Sequence, residues 1–304
     1  MSRRQPASPC EVPHTNCAIS SDFTSQQCCR VLLYQFRWSS AYVCPECDSR
    51  EKPWTTSRGA LKCRSCGKQF SLLKGTLFER SRISLQAWFT LIREMTMGDD
   101  PVSAKHLKRK CNFGSDETAI KLARKIRKLM QEHTSAPLAG TVHVDTCSVQ
   151  VNSRRNCSIR QQILIAAEYD GLRRGRVRLK PIAQFEDNLD ALTLRDLVRR
   201  GSTVTTRGAL EHIQLSNIGF THKDLADESS DGELLPGCVP VAKRLQRLMR
   251  DCFRDAVSEK HLQEYLAELQ FRYPERSGTT RFTEIMRLAA GTGRAQMRYR
   301  DNVG

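Results

Sequence analysis

No long apolar run occurs anywhere in this chain. The best stretch, Ile163-Leu164-Ile165-Ala166-Ala167, falls far short of the roughly 20 residues a membrane-crossing helix needs, so no membrane partner is expected. The arginines at Arg3 and Arg4 have no apolar segment behind them, so no secretory signal is expected there. An even cysteine count is also missing: thirteen cysteines, four of them at metal-ligand spacing, argue for a reducing compartment, the cytoplasm. Acid is scarce as well, with 33 Asp and Glu against 49 Lys and Arg and a formal charge of +16. What is present, 39% hydrophobic and 27% charged residues over 304 positions, suits a folded chain of two compact domains plus small modules.

The positive charge is uneven. Residues 1–140 hold 23 Lys/Arg against 12 Asp/Glu, and the remaining 164 hold 26 against 21. Within Ser103 to Gln131 the ratio is nine basic to two acidic. A basic front half points to a polyanion, most commonly nucleic acid, while a generally basic solvated surface stays open as the alternative.

Cys44, Cys47, Cys63 and Cys66 read C-x2-C, fifteen residues, C-x2-C. Two knuckles with a thiolate pair each, joined by a ribbon-sized loop, form a tetrahedral cage for structural Zn²⁺. Two disulfides, or four unrelated thiols, are the competing readings. Trp54 and Leu61, between the knuckles, are expected to cover one face of the ribbon. The other cysteines, including Cys111, Cys147, Cys157, Cys238 and Cys252, are scattered and read as buried or free thiols.

Along the chain, residues 1–24 lack periodicity and read as a disordered leader. A helix from Ser25 to Trp38 precedes the ribbon, and the two together form a domain over 25–80. Leu85, Trp88, Phe89, Ile92 and Met95 sit at helical spacing and begin a helical region over 81–134. Within it, Ser103 to Lys110 is followed by a break at Cys111-Asn112-Phe113-Gly114. A basic helix then starts at Ser115, with Asp116 and Glu117 in its first turn. Two helices joined by a Gly-containing turn, the second basic, form a helix-turn-helix pattern, and a charged helix on a solvated surface is its alternative. On that reading Ser115, Thr118, Lys121 and Arg124 face a groove, and Lys105, Lys108 and Arg109 meet phosphates. Lys121, Arg124, Lys125, Arg127 and Lys128 are expected largely on the polar side of this helix.

After a linker at Ser135 to Gly140 the period becomes strand-like. Strands are expected around Val142 to Val149, at Gln162 to Glu168, at Arg176 to Ile182 and at Ser202 to Thr206. A helix fits Leu189 to Arg200, and helical material fills Val241 to Phe271. The whole is an α/β (α+β) chain, with a mixed-sheet domain over 141–281 and a tail over 282–304. The run Arg173-Arg174-Gly175-Arg176-Val177-Arg178 reads either as a DNA-backbone contact or as a solvated hairpin.

A ribbon, a helix-turn-helix and an α/β domain opening on a strand with one Asp resemble the zinc-ribbon transposases of bacterial insertion sequences. Cys44-Pro45-Glu46-Cys47, Cys63-Arg64-Ser65-Cys66-Gly67-Lys68-Gln69-Phe70-Ser71 and Gly75-Thr76-Leu77-Phe78-Glu79 look like that family's ribbon. Val257-Ser258-Glu259-Lys260-His261-Leu262-Gln263-Glu264-Tyr265-Leu266 and Phe271-Arg272-Tyr273 look like its closing helix and signature. The resemblance implies a ribonuclease H-like catalytic domain with a D-D-E-type triad. It also implies DNA transposon ends as the partner and Mg²⁺ as the catalytic cation, and it is compatible with a homo-oligomer.

Against that pattern, Val142-His143-Val144-Asp145 matches the strand carrying the first catalytic aspartate, and Thr146 replaces the usual Glu after it. Thr206-Arg207-Gly208 stands where Thr-Asp-Gly is expected, Val239 stands at the third position, and Gln246 replaces a lysine. A guanidinium in a two-metal site turns attraction into repulsion worth roughly several kcal/mol, so strand-transfer chemistry is expected to be lost, with Asp145 a remnant. Two alternatives stand beside this: rescue by substitute acids such as Glu211 or Glu233, or a repurposed non-catalytic scaffold.

Overall fold

A computed structural model describes residues 23, 25–39, 41–57, 59–152, 158–171, 173–182, 191–207, 215–225, 234–252 and 257–291. The chain divides into two compact units. The first comprises Met1–Arg93, Lys110–Asn112 and Phe282–Gly304, and the second comprises Glu94–Arg109 and Phe113–Arg281. No helix among the described residues is long and apolar enough to cross a membrane.

The first unit opens with α1 (Gln26–Arg37), capped by Ser25, whose Oγ accepts from the Cys28 N–H at 3.1 Å. Cys29, Leu32 and Leu33 fall at spacings of three and one along the helix and form its buried stripe. Three short antiparallel strands follow: β1 (Trp54–Thr55), β2 (Leu61–Lys62) and β3 (Gln69–Phe70). The helix α2 (Leu85–Met97) buries Leu85, Trp88, Phe89 and Ile92, the stripe expected from the sequence.

Residues 282–291, expected as a tail, instead form most of α8 (Gly278–Ala290) and its end. Phe282, Ile285, Met286, Ala289 and Ala290 are all buried. Their spacing of three and four makes one apolar stripe that must find a core. That core is aromatic: Phe23 stacks on Phe282 with centroids 5.8 Å apart and meets Phe89 edge-on at 5.2 Å. The Leu77 N–H donates to the Ala289 carbonyl at 2.8 Å.

Of the helix pair α3 (Ala104–Cys111) and α4 (Asp116–His133), the second unit holds α3 as far as Arg109 and all of α4. Asn112, at φ 54°, takes the left-handed turn between them, a conformation that asparagine tolerates better than most residues. A five-stranded sheet follows in the order β6-β5-β4-β7-β8. β4 (Thr141–Asn152), β5 (Ser158–Glu168) and β6 (Val177–Ile182) are antiparallel, and β7 (Thr203–Thr206) and β8 (Thr221–Asp224) run parallel to β4. α5 (Ala191–Leu197) precedes β7.

Alternation sends successive β4 side chains to opposite faces. Cys147, Val149 and Val151, with Ile163 and Ile165, pack beneath α6 (Val239–Arg247) and α7 (Leu262–Arg272). Val142, Val144, Leu164, Ala166 and Val204 pack on the other side against Leu194, Val198, Leu215 and Phe220. Each fully buried aliphatic side chain contributes about 1.5–3 kcal/mol, so a sheet covered on both faces is a firm platform for β4. The helical material expected over Val241 to Phe271 is not continuous: a π-helical turn, Leu248–Cys252, and a 3₁₀ turn, Glu259–His261, separate α6 from α7.

One buried ionic network was not legible beforehand. Glu268 of α7 accepts from Arg127 Nε at 2.7 Å and from Arg272 Nη2 at 2.9 Å, with all three residues buried. Arg272 also donates to the carbonyls of Gly98 and Asp100 at 2.6 and 3.0 Å, and Arg281 donates to the Arg272 carbonyl at 3.1 Å. Burial alone would raise the Glu268 carboxyl, but Arg127 and Arg272 outweigh it and hold the group below its ordinary range. Arg127 therefore does not lie on the polar face of α4: α7 offers it a carboxylate and, 4.2 Å from its guanidinium carbon, the Tyr265 ring.

Candidate metal centre and nucleic-acid interface

Each cysteine pair sits in a knuckle built the same way. In the first, Cys44 N–H donates to the Ser49 carbonyl at 2.9 Å and Asp48 N–H donates back to the Cys44 carbonyl at 3.1 Å. In the second, Cys63 N–H donates to Lys68 and Gly67 N–H donates back to Cys63, at 3.0 and 3.1 Å. Asp48 and Gly67 both take left-handed φ, 56° and 68°, to turn the chain.

The four sulfurs lie within 4.8 Å of one another. Cys44 and Cys66 Sγ are 3.9 Å apart, and Cys47 and Cys63 Sγ are 3.7 Å apart. A tetrahedron with Zn–S bonds of about 2.3 Å has edges of about 3.8 Å, whereas a disulfide needs about 2.05 Å. The donor set therefore fits a structural Zn²⁺ and rules out the disulfide reading for these residues. Cys44 and Cys47 are pushed in opposite directions. For Cys44, burial opposes ionisation, but the Glu46 and Cys47 N–H groups and the Cys47 and Cys63 thiols prevail and bring it down to about 6. For Cys47, the Ser49 N–H favours the thiolate, but burial and the other three thiols push it up to about 12.

Residues 24–69 match the family model of a transposase zinc-ribbon domain, of the IS1595 family. The match spans α1 and the cage and ends within β3. No curated protein matches the chain.

This transposase-type ribbon differs from expectation in one side chain. Leu61 points inward and is buried, but Trp54 does not join it and is 59% exposed. The strand register explains this: Trp54 pairs with Lys62 and Thr55 with Leu61, so Trp54 belongs to the face opposite Leu61. Period-two alternation between Leu61 and Lys62 was the available signal.

Of the DNA-facing candidates, Lys105, Arg109 and Lys121 are exposed. Lys108 lies 3.3 Å from Asp116, both partly exposed. Ser115 is the N-cap of α4: its Oγ accepts from the Thr118 N–H at 3.2 Å and lies 3.2 Å from the Thr118 hydroxyl. Arg124 turns toward α7, 3.4 Å from Glu264. The outward cationic stripe of α4 is Lys121, Lys125 and Lys128, one turn apart in each step. In the basic run after β5, Arg176 forks onto Glu168 at 2.5–3.1 Å, and Arg178 is buried, donating to the carbonyls of Val177 and Ala136. Arg173 and Arg174 remain exposed.

Asp145 stands in the middle of β4, half-buried. Its Oδ1 accepts from the Thr146 N–H at 2.7 Å and its Oδ2 from the Leu235 N–H at 2.8 Å. Burial raises its carboxyl above the ordinary range, against the opposing pull of those two N–H groups and of the Arg207 charge. Arg207 follows β7 directly, and the parallel ladder pairs His143 with Thr205, which carries Arg207 to the level of Asp145. Val239 begins α6 and is half-buried. Glu211 and Glu233 lie outside the described residues.

Sequence reading missed the role of the neighbouring turn. Gly237 N–H donates to His143 Nδ1 at 3.1 Å, and the Cys238 thiol donates to the His143 carbonyl at 3.5 Å. Leu235, Gly237 and Cys238 thus tie the start of α6 to β4, with Asp145 as one of the anchors. A Cβ on Gly237 would come within 3.0 Å of His143 Nδ1, so a larger residue would push the imidazole away. Cys111, Cys147 and Cys238 are buried and in no disulfide, and Cys157 lies outside the described residues. Among the described residues, the four ribbon cysteines are the only group of three or more His, Cys, Asp or Glu side chains close enough to share a cation.

Proposed function

We propose that this protein is an insertion-sequence transposase-type DNA-binding protein, reading DNA through its zinc ribbon and its α3–α4 helix pair, with strand-transfer chemistry lost. The observation that carries it is the four-sulfur cage inside a transposase zinc-ribbon match. The exposed cations of α3 and α4 support a helix-turn-helix role for that pair. Three antiparallel strands followed by two parallel ones, with an acid on the central strand, support a ribonuclease H-like reading of the second unit.

The loss of chemistry rests on the surroundings of Asp145. Metal-assisted phosphoryl transfer needs converging carboxylates whose oxygens are free to bind two divalent cations. Here the nearby charge from β7 is the Arg207 guanidinium, and among the described residues no group of three or more His, Cys, Asp or Glu side chains gathers around Asp145. If Mg²⁺ were held here, Asp145 would be its one family-matched ligand.

Gel retardation of duplex DNA by the zinc-loaded chain tests the binding. Affinity should fall steeply with salt, by a logarithmic slope of about −0.9 per phosphate contact. No retardation in low salt would sink the proposal. A strand-transfer assay with Mg²⁺ or Mn²⁺ tests the loss: activity abolished by Asp145→Ala would restore the enzyme.

A further inference from the structure

The outward face of the ribbon sheet carries an arrangement that the zinc cage does not use. The register pairs Trp54 with Lys62 and Lys62 with Gln69, which sets these three in a row across all three strands. Leu61 and Phe70, on the opposite face, are buried. The Arg64 guanidinium lies over the Trp54 ring, 5.1 Å from its centroid, and Arg64 Nε is tethered to the Lys52 carbonyl at 2.9 Å. Lys52, Lys62 and Arg64 are all exposed. Of the neighbouring acids, Glu46 is paired with Lys68 and Lys74 at 3.1 and 3.0 Å, and Glu51 accepts from the Ser65 hydroxyl at 3.3 Å.

A lone exposed aromatic needs no explanation. An indole flanked by three cations, with a guanidinium held against its ring, is the combination that binds unpaired nucleic acid: a π surface for a base and positive charge for the flanking phosphates. In a duplex the base faces are covered by their neighbours, so stacking selects the single strand.

We propose that this face binds unpaired DNA, with a base stacked on Trp54 and the adjacent phosphates met by Lys52, Lys62 and Arg64. The proposal rests on the DNA-binding reading above and adds to it the strand form and the contact residues.

Fluorescence anisotropy on the zinc-loaded chain, with a labelled oligothymidylate and a duplex of similar length, tests it. Trp54→Ala should weaken oligothymidylate binding about 5- to 150-fold and change duplex binding by less than about twofold. Trp54→Phe should keep most of the single-strand affinity. Trp54→Leu, which retains apolar bulk, should lose it, and this pair decides the matter even if the alanine variant loses zinc. Lys62→Ala should weaken binding and flatten its salt dependence. Equal losses on both DNA forms, or no loss in Trp54→Leu, would overturn the stacking site. Wild-type binding to duplex but not to oligothymidylate would overturn this inference alone. Binding to neither would overturn the proposed function with it.

Discussion

At the scale of single residues, the cage and the buried carboxylate make the sharpest demands. Cys63→Ser removes a buried sulfur from a four-sulfur set whose spacing matches zinc. One zinc per chain should be found by metal analysis in the wild type and substantially less in the variant, with the ribbon losing its protection from proteolysis. Glu268 presents the opposite case, an anion holding two buried cations in place. Glu268→Gln leaves Arg127 and Arg272 buried without their counter-charge and should cost about 3–5 kcal/mol in urea unfolding. A variant as stable as the wild type would mean that water or rearrangement compensates the arginines.

At the scale of elements, α4 divides its cations between two tasks. Arg124 and Arg127 face the acids of α7, and Lys121, Lys125 and Lys128 face outward. Lys121→Ala should therefore weaken DNA binding without lowering stability, and Arg127→Ala should lower stability first. Lys108→Ala should weaken all sequences alike if it meets phosphate, whereas Lys121→Ala should alter sequence preference if it reaches base edges. Binding titrations against a panel of duplexes, alongside thermal unfolding, separate these outcomes. α8 makes a related point about packing: its apolar stripe joins the aromatic core around Phe23 and Phe89. A helix-period pattern near a chain end is thus better evidence than its position.

At the scale of the whole molecule, stability should depend on pH through His143. The imidazole is stacked on Tyr169, with centroids 4.2 Å apart, and burial, then the Lys223 charge, hold its pKa below the ordinary value. Below about pH 6.5 the unfolded chain takes up a proton that the folded chain refuses, so stability falls as pH drops from about 7 to 5. This one group accounts for at most about 1.4 kcal/mol per pH unit. His143→Gln should make the difference between urea unfolding at the two pH values smaller. An unchanged difference would assign the slope to other groups.

The sequence by itself determined the zinc cage, because metal ligation leaves its mark as short, rigid spacings between chemically unambiguous residues. It also determined the four strands β4 to β7 and the helices α1 to α4, where apolar periodicity over several residues is enough. The polar edge strand β8, Thr221–Asp224, stayed hidden, since an exposed strand on a sheet edge carries no apolar signal. Only the tertiary structure decided how polar side chains are partnered. It sent Arg127 into a buried network, placed both oxygens of Asp145 on backbone N–H groups, and turned Trp54 outward. Those outcomes depend on what lies across a strand or on a facing helix. Contacts between residues as distant in sequence as Arg127 and Glu268 follow from the register of packed elements, and local composition does not encode that register.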